Sequence, residues 1–228
     1  MTQLQKDLAG HVVICGYGHS GSVAAGELVQ RGWERDRIVV IDGDVAAVQR
    51  ASDNGYIGLH GNASSEELLR VAGVARAHSV IVSVGRDDTT VLVVLTVRDL
   101  ARHARIIARV NEQENIRLVR SSGADVIVSP PRFGGVLMAD AVESHGTVDF
   151  VTELMSFRGD YQLQERAPLP QEIGRAARDV EGTVVLEVRR GGRRIGCWVD
   201  KGIVIEAADR LLVIDSDALF KAPSQAPA

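Results

Sequence analysis

The segment Gly16-Tyr17-Gly18-His19-Ser20-Gly21 has the spacing of a phosphate-binding loop. It follows the apolar run 11–15 and opens an amphipathic stretch, the strand-to-helix context in which GxGxxG is informative. Gly16 permits a tight turn, Gly18 lets backbone approach a phosphate, and Gly21 allows the helix to pack closely on the sheet. Amides at the start of the helix, with the positive end of its dipole, would hold the anion. The loop therefore predicts a nucleotide site, against the alternative of a glycine-rich turn without a ligand.

Asp42 ends the next apolar run, 38–41, about 20 residues beyond the loop, and Gly43 follows it. At that place a carboxylate accepts both hydroxyls of an adenosine ribose. A 2′-phosphate would meet the negative charge of Asp42, so the residue favours NAD(H), ADP, ATP or AMP over NADP without distinguishing among them. The alternative is an Asp that only caps the next helix, a role for which Asp44 is the better candidate.

Further small and polar residues follow the other predicted strands, whose carboxyl ends would line the same crevice. They are Gly61, Asn62, Ala63, Ser83, Val84, Gly85 and Arg109. Arg109 would neutralise a terminal phosphate or pair with a nearby helix carboxylate. Asn62 would contact the ligand or make a turn, and His19 would donate to a phosphate or face solvent.

No combination of side chains points to catalysis. The remaining histidines are scattered without metal-ligand spacing: His11, His60, His78, His103 and His145. A dehydrogenase also needs an acid or base beside its nicotinamide, and the residues after Gly159 offer no candidate. We therefore expect no catalytic residue, no resident metal and a nucleotide that acts as a signal. The alternatives are an NAD-dependent oxidoreductase and a ligand-free assembly module.

The composition is that of an ordinary globular protein. Of 228 residues, 45% are hydrophobic and 25% are charged, and the net charge is −4. The chain has no basic stripe for nucleic acid, its longest apolar stretch is too short for a bilayer span, and no signal peptide opens it. Cys15 and Cys197 cannot form a disulfide framework and indicate a reducing, cytoplasmic setting.

Six apolar runs alternate with amphipathic segments in the first 128 residues, as buried parallel strands alternate with helices. The runs are 11–15, 38–41, 55–59, 80–84, 106–110 and 125–128. Predicted helix ends are Gly32, Gly73 and Gly123, and predicted capping boxes are Ser64 with Glu67 and Asn111 with Glu114. The pattern predicts an α/β fold, a Rossmann-like doubly wound parallel sheet.

The pattern of alternating apolar runs and amphipathic segments ends at Pro130-Pro131. Two helices are predicted at 133–145 and 148–157, followed by a second, small β-rich α+β domain. Its predicted strands are 161–165, 183–189, 194–199, 203–206 and 211–214. Gly191-Gly192 indicates a hairpin turn between two of them.

Several segments in this order resemble the RCK domains, the regulators of potassium conductance, of the TrkA-N and TrkA-C type. They are His11–Gly18 with Gly21, Val40-Ile41-Asp42, His60–Ala63, Ser121–Asp125 and Val128–Pro130. Residues 11–145 resemble the N-terminal subdomain, and 163–214 are more loosely similar to the C-terminal subdomain. Two further segments, 86–91 and 112–115, are similar to actinobacterial ligand-gated channels, and Asp7–His11 resembles the junction after an inner pore helix.

The resemblance implies a cytoplasmic gating domain, peripheral to or excised from a plasma-membrane potassium channel or uptake system. Such a domain binds an adenine nucleotide and transmits a change of dimer or ring geometry to the pore. It implies a homodimer, with rings of eight copies in some members, and apolar dimer positions at Phe133, Val136, Leu137, Val148, Phe150, Val151 and Leu154. The alternative for these positions is an ordinary buried helix pair.

The corresponding domain division is a nucleotide-binding domain at 1–145, a crossover helix at 146–158, a small domain at 159–216 and a disordered tail at 217–228. Two departures from the family pattern stand out. Asn62 occupies the place of an Asp that is a ligand in a calcium-gated subset, and Gly85-Arg86 follows where acidic groups are expected, so calcium is disfavoured. The hairpin tip 189–194 would bind an anionic effector or simply be solvated.

Overall fold

The computed structural model describes residues 8–156, 161–200 and 202–216. The chain divides into two compact units, which meet in sequence at Met138 and Ala139. Asp7, Phe157 and the predicted tail at 217–228 lie outside the described residues. Within the ranges described, no helix is long and apolar enough to cross a membrane.

The first unit alternates strands and helices. Its strands are β1 (Val12–Cys15), β2 (Ile38–Asp42), β3 (Ile57–His60), β4 (Ser79–Val82), β5 (Arg105–Arg109) and β6 (Val126–Val128). Its described helices are α1 (His19–Gln30), α2 (Val45–Asp53), α3 (Glu66–Val71), α4 (Asp87–Leu100) and α5 (Ile116–Ser121), after which α6 (Pro130–Asp140) runs across the boundary between the units.

The six strands form one parallel sheet in the order β3-β2-β1-β4-β5-β6. Residues of β1 and β2 are buried on both faces, because helices cover the sheet on each side, and this explains their unbroken apolar runs. Two hydrophobic clusters lie on the two faces, one around Val13 and Val93 and the other around Ile14 and Ala25. The predicted doubly wound, Rossmann-like fold is confirmed, and the sheet reverses its order between β1 and β4.

Local predictions at helix ends were right in some places and wrong in others. Gly73 and Gly123 take the left-handed conformation just past a helix, with φ of +71° and +109°. The capping box at Ser64 is wrong, because the Asn62 side chain accepts hydrogen bonds from Ser64 and the hydroxyl of Ser65 caps α3 instead.

The predicted cap at Asn111 is also wrong. The backbone amide of Asn111 donates to the Asp87 carboxylate, and the chain then passes through a short 3-10 turn before α5 begins at Ile116. The helix predicted at 133–145 begins earlier, at Pro130. Proline is tolerated in the first turn of a helix, because the backbone amides there have no partner within the helix and the missing N–H of proline costs nothing. It ends at Asp140, and the next helix, α7 (His145–Met155), begins three residues before its predicted start.

The second unit contains α7 and a four-stranded antiparallel sheet. The strands are β7 (Tyr161–Arg166), β8 (Thr183–Arg190), β9 (Arg193–Gly196) and β10 (Arg210–Ser216), in the order β7-β10-β8-β9. The predicted hairpin joins β8 to β9, and Gly191 and Gly192 have φ of +55° and +79°, as a primed turn requires.

Two strand predictions in this unit need correction. The segment 203–206 is not a strand of either sheet. Val204 makes an isolated bridge to Ala176, and among the described residues the backbone of Ile203 and Ile205 hydrogen-bonds only to the short stretch 174–177. The segment predicted at 194–199 leaves the sheet after Gly196, where a turn closes with the Val199 amide donating to the Gly196 carbonyl.

Candidate functional site

A cavity of about 590 Å³ lies at the carboxyl ends of β1 to β5, where the strand order reverses. Ligands of α/β sheets bind at this kind of switch point, in cavities of about 300–1,000 Å³. Its lining residues are Gly16, Gly18, Ile41, Asp42, Gly43, His60, Gly61, Asn62, Ala63, Ser83, Val84, Gly85, Thr89 and Arg109. The structure therefore brings most of the predicted site residues to one place.

The three glycines of the loop have different surroundings. Gly16 has φ of +96°, and a Cβ there would lie 2.6 Å from the Ser83 carbonyl oxygen. A Cβ on Gly21 would overlap the carbonyl oxygen of Gly16, whereas one on Gly18 would meet nothing within 4 Å. This geometry fits a turn at Gly16, close helix packing at Gly21 and an open approach to backbone at Gly18.

The N-terminus of α1 faces the site without a side-chain cap. Gly18 is its N-cap residue, and no acidic side chain lies in the first turn. By contrast, the Asp44 carboxylate caps α2 by accepting from the Ala46 amide at 3.0 Å, as predicted. The first amides of an uncapped helix, together with the positive end of the dipole, suit an anion.

The Asp42 carboxylate is held by two backbone amides. Its Oδ2 accepts from the Tyr17 amide at 2.6 Å, and its Oδ1 accepts from the Asp44 amide at 2.8 Å. Each carboxylate oxygen has lone pairs beyond these bonds, so the group can still accept ribose hydroxyls. A direct hydrogen bond therefore joins the acidic residue to the glycine-rich loop.

Arg109 and Ser83 contribute polar atoms to the other end of the cavity. Arg109 Nη2 donates to the Asn111 side-chain oxygen at 2.8 Å, while its Nε is buried without a hydrogen-bond partner. The Ser83 hydroxyl is also buried and unpartnered. Within the described residues Arg109 pairs with no carboxylate, so that predicted alternative is wrong.

Some predicted residues do not line the cavity. The Tyr17 side chain turns into the core, where its ring packs edge-on against Tyr56 with centroids 6.1 Å apart, so only its backbone serves the site. His19 and Ser20 lie in the first turn of α1 outside the lining, and Gly21 is buried beneath it. The predicted turn at Asn62 is confirmed, although Asn62 also lines the cavity.

Three residues that line the cavity were not predicted from the sequence: Ile41, His60 and Thr89. Ile41 and His60 immediately precede predicted segments, and Thr89 lies in the first turn of the helix after β4, where topology alone could have placed it. The His60 imidazole lies within hydrogen-bond distance of the Gly43 carbonyl, at 3.1 Å. In the part of the chain that is described, no three His, Cys, Asp or Glu side chains are arranged to hold a metal ion.

Comparisons with known proteins agree on one family. The profile of the TrkA-N domain matches residues 12–130. The chain is 29% identical over 158 residues to the probable potassium channel protein 2 of Methanocaldococcus jannaschii, which covers 68% of this chain and 45% of that protein. It is 28% identical over 211 residues to the Trk system potassium uptake protein TrkA of Azorhizobium caulinodans, covering 92% of this chain and 44% of that protein.

A solved structure described as the GsuK channel bound to NAD is similar over 92% of this chain and 37% of that chain, with 25% sequence identity and a TM-score of 0.52. The chain thus spans less than half the length of each of these three relatives.

Proposed function

The chain belongs to the TrkA-N domain family, and from this premise we propose that it is a ligand-sensing regulatory domain of a potassium channel or potassium uptake system. The names of its relatives support the proposal, because they include potassium channel proteins and a TrkA uptake protein. Such a domain would act at the cytoplasmic side of a plasma membrane, either attached to the pore or as a peripheral subunit.

The regulatory ligand in this proposal is an adenine nucleotide: NAD(H), ADP, ATP or AMP. The observation that carries it is the cavity at the switch point, which combines an uncapped helix N-terminus, a ribose-acceptor carboxylate at Asp42 and a guanidinium at Arg109. The GsuK structure described as NAD-bound supports the same ligand class. NADP is disfavoured because its 2′-phosphate would approach the negative charge of Asp42. Calcium is disfavoured too, since Asp42 is the single carboxylate among the described lining residues and the site also contains the neutral Asn62 and the cationic Arg109.

The nucleotide acts as a signal rather than a reactant in this proposal. The two titratable lining groups nearest the predicted ribose, Asp42 and His60, are both engaged with backbone groups of the loops. Incubating the chain with NADH and a panel of carbonyl compounds should give no NADH oxidation. Turnover that saturates with a carbonyl substrate would favour the oxidoreductase alternative.

Transmission would run through self-association. Phe133 and Val136 on α6 are 51% and 62% exposed, and Phe150 on α7 is 45% exposed. The other predicted dimer positions, Leu137, Val148, Val151 and Leu154, are half-buried. Exposed apolar side chains of this size favour a partner surface, so we propose a homodimer that can extend into a ring. The alternative, an ordinary buried helix pair, requires these positions to be buried, whereas Phe133, Val136 and Phe150 are exposed.

Small-angle scattering of the full chain tests the regulatory part of the proposal. A ligand shifts only an equilibrium whose states it distinguishes. Saturating NAD or ADP should therefore change the radius of gyration of the oligomer, and Asp42→Ala should abolish the change. Identical scattering curves with and without a nucleotide that demonstrably binds would contradict a gating role and favour an assembly module.

A further inference from the structure

The Asp87 carboxylate is the centre of a buried hydrogen-bond network beside the cavity. Asp87 is the first residue of α4 and is 9% exposed. One oxygen accepts from the backbone and side-chain amides of Asn111, at 2.9 and 3.1 Å. The other accepts from the Glu112 amide at 3.0 Å and from the Asn115 side chain at 2.9 Å. Burial raises the pKa of Asp87, but these four bonds more than offset it, so the pKa lies below its usual value and the group stays ionised.

This network fixes which way the Asn111 side chain points. Its amide nitrogen donates to Asp87 and to the Gly85 carbonyl, at 3.1 Å each, and its oxygen accepts from Arg109 Nη2 at 2.8 Å. A flipped amide would put its oxygen against the carboxylate and its NH₂ against the guanidinium. The charge on Asp87 therefore orients Asn111, and Asn111 in turn orients Arg109.

Arg109 is the only cationic side chain among the residues that line the cavity. Its Nε is buried and lacks a partner within the described residues. Buried polar groups in proteins nearly always have a hydrogen-bond partner, so this nitrogen keeps an unused donor beside the cavity. The unpartnered Ser83 hydroxyl, which lines the same cavity, adds a second unused polar atom.

The position of Arg109 indicates which part of a ligand it meets. Asp42 ends β2 and Arg109 ends β5, three strand positions away in the sheet. At about 4.8 Å per position, the two strand ends are roughly 14 Å apart. The loop at Gly16–Gly21 follows β1, between them. A ligand anchored at Asp42 with its first phosphate at α1 must continue past that phosphate to reach Arg109.

We propose that Asp87 is a positioning residue of the nucleotide site, which through Asn111 holds Arg109 where it contacts the second phosphate of a nucleoside diphosphate or dinucleotide. This inference rests on the proposed function for the existence of the nucleotide. It adds that preference for two or more phosphates over one depends on a carboxylate that lies outside the cavity lining.

The test is calorimetric titration of the full chain with ADP and with AMP, in wild type and in Asp87→Asn. Asparagine keeps the shape of Asp87 but presents an NH₂ to two of its four donors. We expect ADP affinity to fall about tenfold and AMP affinity to change less than about twofold, since charge-assisted hydrogen bonds are about twice as strong as neutral ones. Asp88→Asn is the matched control, because it removes the same charge from the same turn of α4, where Asp88 pairs with exposed Arg86.

A double-mutant cycle separates positioning from a general structural role. If Asp87 acts through Arg109, Asp87→Asn in an Arg109→Gln background should cause no further loss of ADP preference. Equal loss of ADP and AMP affinity in Asp87→Asn, or a full additional loss in the double variant, would overturn the proposal.

If wild type binds no nucleotide, the proposed function is refuted, but the positioning role of Asp87 can still be tested by a measurement that needs no nucleotide. The Arg109 Nε–H resonance in ¹H–¹⁵N spectra of the full chain should shift in Asp87→Asn and stay unchanged in Asp88→Asn. An unshifted resonance in Asp87→Asn would overturn the positioning role.

Discussion

The Oδ2 atom of Asp42 accepts a hydrogen bond from the backbone amide of Tyr17 at 2.6 Å. This bond ties the end of β2 to the loop that follows β1, and so joins the proposed ribose acceptor to the proposed phosphate-binding loop. Because Asp42 also accepts from the Asp44 amide, the turn into α2 is part of the same assembly. A ligand that pulls on the carboxylate therefore acts directly on two loops.

Glycine substitutions should separate binding from folding. Gly18→Ala meets open space and a φ of −72°, so the free energy of unfolding should change by less than about 0.5 kcal/mol, while the added methyl weakens nucleotide binding. Gly21→Ala forces a methyl against the Gly16 carbonyl and should cost about 1–3 kcal/mol. Denaturant unfolding and calorimetry measure both. Equal stability of the two variants would show that the close packing at Gly21 is not needed.

A phosphate on the ribose 2′-hydroxyl should lower the affinity of any adenine nucleotide for the site. The negative charge of Asp42 lies where the ribose hydroxyls are expected, so NAD should bind more tightly than NADP, and AMP more tightly than adenosine 2′,5′-bisphosphate, by about tenfold or more. Asp42→Asn should narrow the gap in each pair. Competition binding measures the ratios, and equal affinities in wild type would contradict the role given to Asp42.

His11 should make the first unit less stable at mildly acidic pH. The imidazole is fully buried, its Nε2 lies 2.8 Å from the Ala72 carbonyl oxygen, and its Nδ1 has no partner in the described part of the chain. Burial lowers its pKa, and the positive charges of Arg76 and Arg37 lower it further, while the bond to Ala72 opposes this. The folded pKa thus lies below the unfolded value of about 6.5. Stability from neutral His11 is present above that value and lost as pH falls below it.

Denaturant unfolding between pH 7.5 and pH 5 checks this prediction. His11→Gln keeps a donor for the Ala72 carbonyl but does not titrate, so its free energy of unfolding should fall less steeply than that of wild type. Parallel pH profiles for the two proteins would show that His11 does not contribute.

Arg166 should be essential for the second unit. Its guanidinium bridges two nearly buried carboxylates, at 2.7 Å to Glu172 and 3.0 Å to Asp215. Arg166→Met leaves both carboxylates without their cation and should destabilise the unit by about 3–5 kcal/mol. Arg178→Met removes an exposed pair with Asp179 in the same unit and should cost less than about 1 kcal/mol. Hydrogen exchange of β10 amides is the readout, and similar protection in both variants would refute the prediction.

The fold of the first unit was predictable because its signals are local. Unbroken apolar runs at β1 and β2, glycines past helices and the loop before α1 each act within a few residues. The match of the TrkA-N profile to residues 12–130 confirms the family resemblance that these segments carry. The strand predicted at 203–206 failed because alternating burial also occurs in a segment that packs on a core and pairs only with a short loop, here residues 174–177, without joining a sheet.

The site was only partly predictable, because contacts between distant residues complete it. The network between Asp87 and Asn111 joins positions 24 residues apart, and no spacing rule links them. Arg109 was predicted from its place at a strand end, but its partner Asn111 was interpreted as a helix cap. Tyr17 belongs to the motif, yet its ring points away from the cavity, because it packs against Tyr56 in the core.

Calorimetric titration of the full chain with NAD, NADH, AMP, ADP and ATP tests the central claim, that the cavity at the switch point binds an adenine nucleotide. Wild type should give a saturable heat with one site per chain for at least one of these ligands. Gly18→Asp, which places a negative charge in the open space of the phosphate loop, should abolish that heat while the chain stays folded. Absence of binding by all five nucleotides to folded wild type, or undiminished binding to Gly18→Asp, would contradict the account.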